Sequence, residues 1–290
     1  MAYDKTSGRS LSLSLGIGGK TIFINRASPY RLTRLDGVES GEYAVNLGEN
    51  VHMDGSFFKH ERVEARSIQI AFEVASWENT EALRSELIGF LLPKTDGRLT
   101  ISRSGVTRAI DFHIAGRPRF VQKTIYDYLT VSIDLLCPDP FFTDPTDSIE
   151  RFLTVTPLFC APLSTFASAG AVSGLFERSD TVILDNRGHA DIGIVAEILA
   201  EHDSIVNPSI STSGECVKVL TTVEENSALV ISTLKGNKCI ALDGEPLSCY
   251  DRTSVFFQLP PGRHVIRLSA ESGLEFASTT IKYRLKYLGV

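Results

Sequence analysis

Acidic residues that could do acid–base chemistry are concentrated near the middle of the chain, at Asp134, Asp139, Asp144 and Asp147. A pair of carboxyl groups on a β protein could cleave a glycosidic bond, because one group protonates the leaving oxygen while the other activates water or attacks the sugar. Asp139 and Asp144, however, each precede a proline, which is the usual turn-forming use of aspartate. We therefore expect no catalytic residue here and predict that the protein is not an enzyme.

Histidine and cysteine often bind metals or act in catalysis, and neither is placed for that chemistry. The histidines never fall at metal-ligand spacing, and the cysteines are odd in number and form no C-x-x-C pair. The sequence therefore predicts no metal site, no cofactor and no disulfide framework, and it favours free thiols in a reducing cytoplasm. The residues concerned are His52, His60, His113, His189, His202 and His264, and Cys137, Cys160, Cys216, Cys239 and Cys249.

The stretch Gly19-Lys20-Thr21 has the letters that end a phosphate-binding loop. Such a loop needs another glycine five residues earlier, where this chain has Ser14, and a helix after it to aim its amides at the anion. Ile22-Phe23-Ile24 follows instead, which is a strand pattern. We interpret this stretch as a glycine hairpin.

Aromatic side chains could stack on sugar rings, as they do in carbohydrate-binding sandwiches. A sugar-binding surface in the second half would require Tyr250 and Tyr283 to be exposed together on one concave face. Packing in a core or an interface is the alternative use of the same side chains. The candidates are Trp77, Tyr250, Tyr283 and Tyr287.

Length and composition indicate a globular protein of two ordinary domains or of one large domain. The chain has 290 residues, of which 43% are hydrophobic and 22% charged, and its net charge of −6 comes without a long basic block. Tight nucleic-acid binding needs clustered Lys and Arg, so we do not expect it. The first residues are too polar for a secretion signal and the longest apolar run is too short to span a bilayer, so we expect no membrane insertion.

The stretch from Leu136 to Phe142 divides the chain into two parts. Pro138 and Pro140 fix two φ angles and remove two backbone donors, so sheet pairing has to stop there. The aromatic pair Phe141 and Phe142 follows at once. We expect this pair to be buried against a neighbouring domain or another subunit, as a hinge between two β domains.

Alternating apolar residues predict an antiparallel β domain before that stretch. The leucines Leu83, Leu87 and Leu91 predict one helix, which Pro93 ends; its apolar stripe would pack on a sheet or, alternatively, in a partner's groove. Residues Glu39 to Gly55 are predicted to be a polar loop. Predicted strands cover Leu11–Leu15, Thr21–Asn25, Tyr30–Asp36, Glu64–Val74, Leu99–Ile101, Ile110–Ile114 and Tyr128–Leu135.

Many short strands separated by turn signals predict a jelly-roll or similar β-sandwich after residue 180. The Ala- and Ser-rich segment Cys160–Gly174 is predicted to be a linker or a long surface loop. We therefore divide the chain into a β domain at 1–142, a connecting segment at 143–180 and a sandwich at 181–290. Predicted strands cover Thr181–Leu184, Ile192–Ile198, Val217–Leu220, Leu229–Ser232, Cys239–Leu242, Ser254–Leu259, His264–Leu268 and Thr280–Tyr287.

An ordered set of short motifs resembles the distal tail protein family of siphovirus-type bacteriophages. The first half contributes Tyr30-Arg31-Leu32 with Asp36-Gly37, then Asp54-Gly55-Ser56-Phe57-Phe58 and Arg66-Ser67-Ile68, and the stretch Cys137-Pro138-Asp139-Pro140-Phe141-Phe142 is similar to the family's signature at the end of the first domain. The second half contributes Leu184-Asp185-Asn186-Arg187-Gly188, Asn207-Pro208-Ser209-Ile210, Leu259-Pro260-Pro261-Gly262 and Tyr287-Leu288-Gly289-Val290.

The resemblance implies a structural role at the virion tail tip, after assembly in the host cytoplasm. It implies that the first domain forms a six-membered ring of identical subunits at the end of the tail tube, with DNA passing through the lumen. A galectin-like second domain would dock tail-tip hub, tail-associated or receptor-binding proteins. Exposed strand edges and the pair Phe57-Phe58 are candidates for the ring interface. The alternatives are a carbohydrate-binding host-recognition module and, less favoured, an enzyme that degrades the cell envelope.

Overall fold

The computed structural model describes residues 11–49, 54–76, 78–124, 126–157, 174–178 and 180–290, with backbone alone for 153–157 and 174–178. His52, Trp77 and nearly all of the Ala- and Ser-rich segment Cys160–Gly174, within the predicted connecting segment at 143–180, lie outside the described residues. The described chain is mainly antiparallel β structure with one α-helix. This confirms the predicted fold class.

The elements follow one another in this order. In the first half they are β1 (Leu11–Ile17), β2 (Lys20–Ile24), β3 (Tyr30–Asp36), β4 (Tyr43–Glu49), β5 (Ser56–Val63), β6 (Arg66–Val74), α1 (Thr80–Phe90), β7 (Asp96–Arg103), β8 (Val106–Ile114), β9 (Arg119–Val121), β10 (Leu129–Cys137) and β11 (Phe142–Thr143). In the second half they are β12 (Ser148–Arg151), β13 (Leu153–Pro157), β14 (Gly174–Arg178), β15 (Thr181–Asn186), β16 (Ile194–Ala200), β17 (Ile205–Val206), β18 (Ser209–Thr212), β19 (Glu215–Lys218), β20 (Thr222–Val223), β21 (Ala228–Leu234), β22 (Asn237–Leu242), β23 (Glu245–Pro246), β24 (Gly262–Ser269), a 3₁₀ turn (Leu274–Phe276), β25 (Ala277–Tyr283) and β26 (Lys286–Tyr287).

The chain folds as two compact units. The first unit contains residues Met1–Pro145 together with Lys286–Val290, and the second contains Thr146–Leu285. This division differs from the predicted boundaries at 142 and 181, because β12 already pairs with β25 of the second unit while β26 pairs with β11 of the first. The second unit is therefore an insertion in the sequence of the first.

One large sheet organises the first unit, with its main strands in the order β2-β1-β7-β8-β10-β6-β3. Strand β6 alternates strictly: Ile68, Ile70, Phe72 and Val74 are buried while the residues between them are not. The helix α1 packs on this core through Leu87, with Leu83 partly buried, and Leu91, directly after the helix, belongs to the same core. The predicted leucine stripe thus covers the sheet, as such stripes commonly do.

The second unit is a β-sandwich. A six-stranded sheet has the order β12-β25-β16-β21-β22-β23, and a four-stranded sheet has the order β15-β24-β18-β19. Their inward residues form one cluster, as expected when two antiparallel sheets pack face to face. Examples from the first sheet are Ala196, Ile231 and Ile281, and from the second Leu184 and Ile266.

Three expectations from the sequence are corrected. Residues Glu39 to Gly55 are not a loop throughout, because Tyr43–Glu49 is strand β4, paired with β5. The segment Ser254–Leu259 is irregular apart from one bridge at its end. Phe142 is buried in the core of the first unit itself, so it does not need a neighbouring domain, and Phe141 is only half-buried. Among the described residues, no helix is long and apolar enough to cross a bilayer.

Candidate assembly site

A buried arginine joins three separated parts of the first unit. Arg66, at the start of β6, is 2% exposed. Its Nε donates to the carbonyl of Pro140 at 2.9 Å, Nη1 donates to that of Gly37 at 2.7 Å, and Nη2 donates to that of Leu288. The guanidinium also lies over the ring of Phe142, 5.0 Å from its centre. We call this arrangement the Arg66 node.

Charge in the Arg66 node is balanced by carbonyl dipoles and an aromatic face, since no carboxylate pairs with Arg66 in the described part of the chain. Cys137 stands opposite Arg66 in the β6–β10 register and is fully buried. Burial raises the pKa of the Cys137 thiol to about 11, and the neighbouring arginine opposes part of that rise. Burial also lowers the pKa of Arg66 from its ordinary value. Arginine titrates so high that it stays charged.

The C-terminal residues 286–290 are fastened to the first unit at several points beyond the Arg66 node. Strand β26 pairs with β11, and the ammonium of Lys286 lies 2.9 Å from a carboxylate oxygen of Asp139. The amide of Val290 donates to the carbonyl of Val38 at 3.1 Å. Gly289 passes so close to Glu39 that a Cβ there would lie 1.9 Å from the Glu39 carbonyl oxygen. Only glycine therefore fits at position 289 without movement of the backbone.

The β4–β5 hairpin begins beside the Arg66 node. A Cβ on Gly41 would lie 2.9 Å from Val63 and 3.6 Å from Nη2 of Arg66. The amide of Glu64 donates to the carbonyl of Glu42 at 2.9 Å, which closes the base of the hairpin. Because Arg66 follows β5 by only three residues, the node fixes the base from which the hairpin extends.

Large apolar side chains are exposed along this hairpin. Tyr43, Val45, Leu47 and Phe58 are each between 51% and 58% exposed. The two strands form a sheet of their own, and among the described residues neither pairs with any other strand. An isolated two-stranded hairpin is marginal in water, and its free edges invite pairing with another chain. The hairpin is therefore the candidate assembly element.

The structure brings some of the motif residues together and keeps others apart. Gly37, Cys137, Pro140 and Phe142 surround Arg66, while Asp139 and Phe141 contact Lys286 next to it. Pro138 is exposed.

Tyr30 and Leu32 lie towards the other end of β6: Tyr30 pairs with Val74, eight residues and so about 26 Å from Arg66 along the strand. Asp54 and Gly55 are exposed at the tip of the hairpin.

From the sequence, Arg66 is only the first residue of the motif Arg66-Ser67-Ile68, and its burial was not predicted. The alternation of buried positions along β6 is the signal that could have identified Arg66 as a buried residue. Arg66 is two residues before Ile68 and so shares the inward face of β6 with Ile70 and Phe72. A charged residue in phase with a buried face needs internal partners, and the proline-rich stretch supplies one of them.

Asp139, Asp144 and Asp147, three of the four carboxylates considered for acid–base chemistry, are engaged in ion pairs. Asp139 pairs with Lys286, and Asp144 pairs with Arg108, whose guanidinium also stacks on Tyr287, 3.2 Å from the ring centre. Within the described ranges, no three His, Cys, Asp or Glu side chains are grouped so that they could hold a metal ion.

Tyr250 and Tyr283 do not form an exposed pair. Tyr283 is 8% exposed in the core of the second unit, and burial raises the pKa of its hydroxyl. Tyr250 is exposed and packs edge-on against Phe256, with ring centres 5.9 Å apart. The two-tyrosine sugar platform considered from the sequence is therefore wrong.

Comparison with known proteins confirms the family resemblance. Residues 187–287 match the family described as siphovirus-type tail component, C-terminal domain. The fold is similar to that of the Dit protein (gp 19.1) of phage SPP1, described as a paradigm of the hub adsorption apparatus in phages that infect Gram-positive bacteria. That match has a TM-score of 0.67 and 13% identity over 95% of this chain and 99% of that one.

Other matches are more distant. A chain of the phage p2 baseplate in its activated conformation with calcium gives a TM-score of 0.48 and 12% identity, over 97% of this chain and 99% of that one. The corresponding strontium structure gives 0.47 and 9%, over 94% and 97%. No curated protein sequence matches the chain.

Proposed function

From the resemblance to siphovirus tail components, we propose that this chain is a structural hub of a phage tail tip and not an enzyme. Six copies form a closed ring through the first unit, and the ring joins the tail tube to the tail-tip complex. The second unit carries the docking contacts to hub, tail-associated or receptor-binding proteins. The site of action is the virion tail, after assembly in the host cytoplasm.

The observation that carries this proposal is the exposed apolar hairpin. Tyr43, Val45, Leu47 and Phe58 are too large and too close together to suit a surface that always faces water. Completing the burial of one half-exposed side chain of this size contributes about 1 kcal/mol. Four such side chains per interface, repeated around a ring, supply substantial driving force for association.

Charge is compatible with a lumen that passes DNA. The chain has 35 acidic and 29 basic residues, giving a net charge of −6. A ring that DNA traverses has to avoid a strong grip on phosphate, which clustered Lys and Arg would produce. An excess of carboxylates weakens non-specific binding to DNA.

The test is the mass of the assembled full chain. Native mass spectrometry and negative-stain imaging of the wild type should show closed rings of six copies. Replacing Leu47 by Asp places a charge in the proposed interface and should leave mainly monomers. Val265→Asp, at an equally exposed apolar position of the second unit, is the control and should still form rings. A wild type that stays monomeric at every concentration would overturn the proposal.

A further inference from the structure

A groove lies between α1 and the segment around β9, and we call its apolar lining residues the floor and its charged lining residues the rim. The groove encloses about 850 Å³. Ile88, Leu91 and Val121 supply apolar surface, and Ile88 and Val121 are about half exposed. The rim carries three guanidinium groups, from Arg84, Arg117 and Arg119, against one carboxylate, from Asp134.

The three guanidinium groups differ in their ion pairing with the described residues. Arg84 is 3.6 Å from a carboxylate oxygen of Glu81 in an exposed ion pair. Arg117 and Arg119 are exposed and make no ion pair with any residue in the described part of the chain. The groove therefore presents unpaired positive charge beside exposed apolar surface. Its ligand should carry apolar and acidic groups together.

The β4–β5 hairpin has one face with that composition. Residues opposite each other in the register share a face: Tyr43 with Val63, Val45 with Glu61, and Leu47 with Phe58. Glu49 lies on the same face as these residues, by alternation along β4. Among the described residues of the hairpin, this apolar face thus carries a row of large apolar side chains together with the acidic side chains of Glu49 and Glu61.

The other face of the hairpin has the opposite character. A Cβ on Gly48 would lie 2.3 Å from the Phe57 ring, so Phe57 covers this side. The ammonium of Lys59 lies 5.8 Å from the centre of that ring, and Arg62 faces the same way. The charges of the hairpin are therefore segregated, with carboxylates on the apolar face and cations on the reverse.

The apolar face and the groove are complementary and belong to different copies. Tyr43, Leu47 and Phe58 remain exposed within one chain, so the hairpin does not fill its own groove. Hairpin and groove are two different patches, and an interface between unlike patches runs head to tail. Such an interface closes into a ring when the rotation between copies allows it.

We propose that the apolar face of the β4–β5 hairpin docks into the α1–β9 groove of a second copy of this chain. This inference rests on the proposed ring and identifies the surface that receives the hairpin. Tyr43, Leu47 and Phe58 lie on the apolar floor, and Glu49 and Glu61 face the arginines of the rim.

Charge exchange tests the pairing in the full chain. Three variants are compared with the wild type by native mass spectrometry over a dilution series: Glu49→Lys/Glu61→Lys, Arg117→Glu/Arg119→Glu, and the combination of all four. Each double reversal should raise the dissociation constant at least roughly tenfold, because like charges then meet across the interface. The fourfold variant carries the exchanged charges on every copy and should regain most of the affinity.

A matched control uses the reverse face of the hairpin. Lys59→Glu/Arg62→Glu changes the same number of charges on the same element and should leave ring formation unchanged. Circular dichroism establishes that each variant is folded. Rings that are unaffected by the groove variant, or a fourfold variant weaker than either double, would overturn the inference while leaving the ring itself in place.

Photocrosslinking identifies the partner surface directly. A benzoylphenylalanine at position 58 should crosslink to residues 84–92 or 116–121, and one at the neighbouring position 57 should not. Mixing isotope-labelled with unlabelled chain establishes that the crosslink joins two copies. Crosslinks from position 58 to another surface of the partner would overturn the groove assignment. Absence of any ring in the wild type would overturn the proposed function instead.

Discussion

Replacing Arg66 tests whether the Arg66 node organises the first unit. Arg66→Met keeps a long unbranched side chain but removes the donors to Pro140, Gly37 and Leu288. Losing the buried hydrogen bond costs roughly 2 kcal/mol and each part-buried one roughly 1 kcal/mol. The lost contact with Phe142 adds roughly 1 kcal/mol. Methionine is uncharged, so the variant avoids the cost of burying a charge, and this offsets roughly 1–2 kcal/mol of the loss. We expect the unfolding free energy of the first unit to fall by about 3–4 kcal/mol.

Arg66→Lys gives a graded comparison. Lysine keeps the positive charge but has no planar fork to reach three carbonyls, so we expect a loss of about 2 kcal/mol. The exposed Arg26 is the control, and Arg26→Met should change stability by no more than about 0.5 kcal/mol.

Urea denaturation followed by tryptophan fluorescence is the assay. The chain has a single tryptophan, Trp77, at a position within the sequence range of the first unit. Circular dichroism follows the unfolding of both units. If two separate unfolding transitions occur, the one that fluorescence also detects is assigned to the first unit. Carboxypeptidase should also release residues from the C-terminus of Arg66→Met faster than from the wild type. A loss below about 1 kcal/mol for Arg66→Met would contradict a stabilising role of the Arg66 node, since the three hydrogen bonds would then contribute little.

Two further predictions use the same fluorescence assay. Gly289→Ala should destabilise the first unit by about 1–3 kcal/mol, because its Cβ would meet the Glu39 carbonyl at 1.9 Å. Gly89→Ala, in open space on α1, is the control and should be neutral or slightly stabilising; equal effects at both sites would contradict the close approach. Burial, with a smaller contribution from Glu86, raises the pKa of Tyr30 to about 12 from 10.0, so its contribution to stability is complete below pH 10 and is lost as pH rises through 12. The free energy of unfolding of the wild type should therefore fall by roughly 1–2 kcal/mol more than that of Tyr30→Phe over that interval, and parallel pH profiles would contradict this.

The spacing of apolar residues predicted the strands and the helix that bury one whole face against the core. Strands β6 and β10 and helix α1 follow directly from regularly spaced apolar residues, because burial against one core imposes the period of the element. Strand β4 was missed although Tyr43, Val45 and Leu47 alternate. The glycines and acidic residues around them favoured a loop, and no core in the chain covers the strand.

The connections made by Arg66 and by the C-terminal residues could not be predicted from local pattern. Arg66 contacts Leu288, which is 222 positions away, and β26 returns to β11 across the whole second unit. A strand of two residues is too short to show an alternation of apolar and polar positions. The proline stretch was interpreted as a hinge, whereas the carbonyl of Pro140 and the ring of Phe142 are contacts of Arg66 within the first unit.

A density map of the assembled wild-type chain, from cryo-electron microscopy, would show how the copies are joined. We expect a closed ring of six copies in which each β4–β5 hairpin lies on the neighbouring copy with Phe58 covered. A ring in which every hairpin remains in solvent, or particles that never exceed one copy, would contradict it.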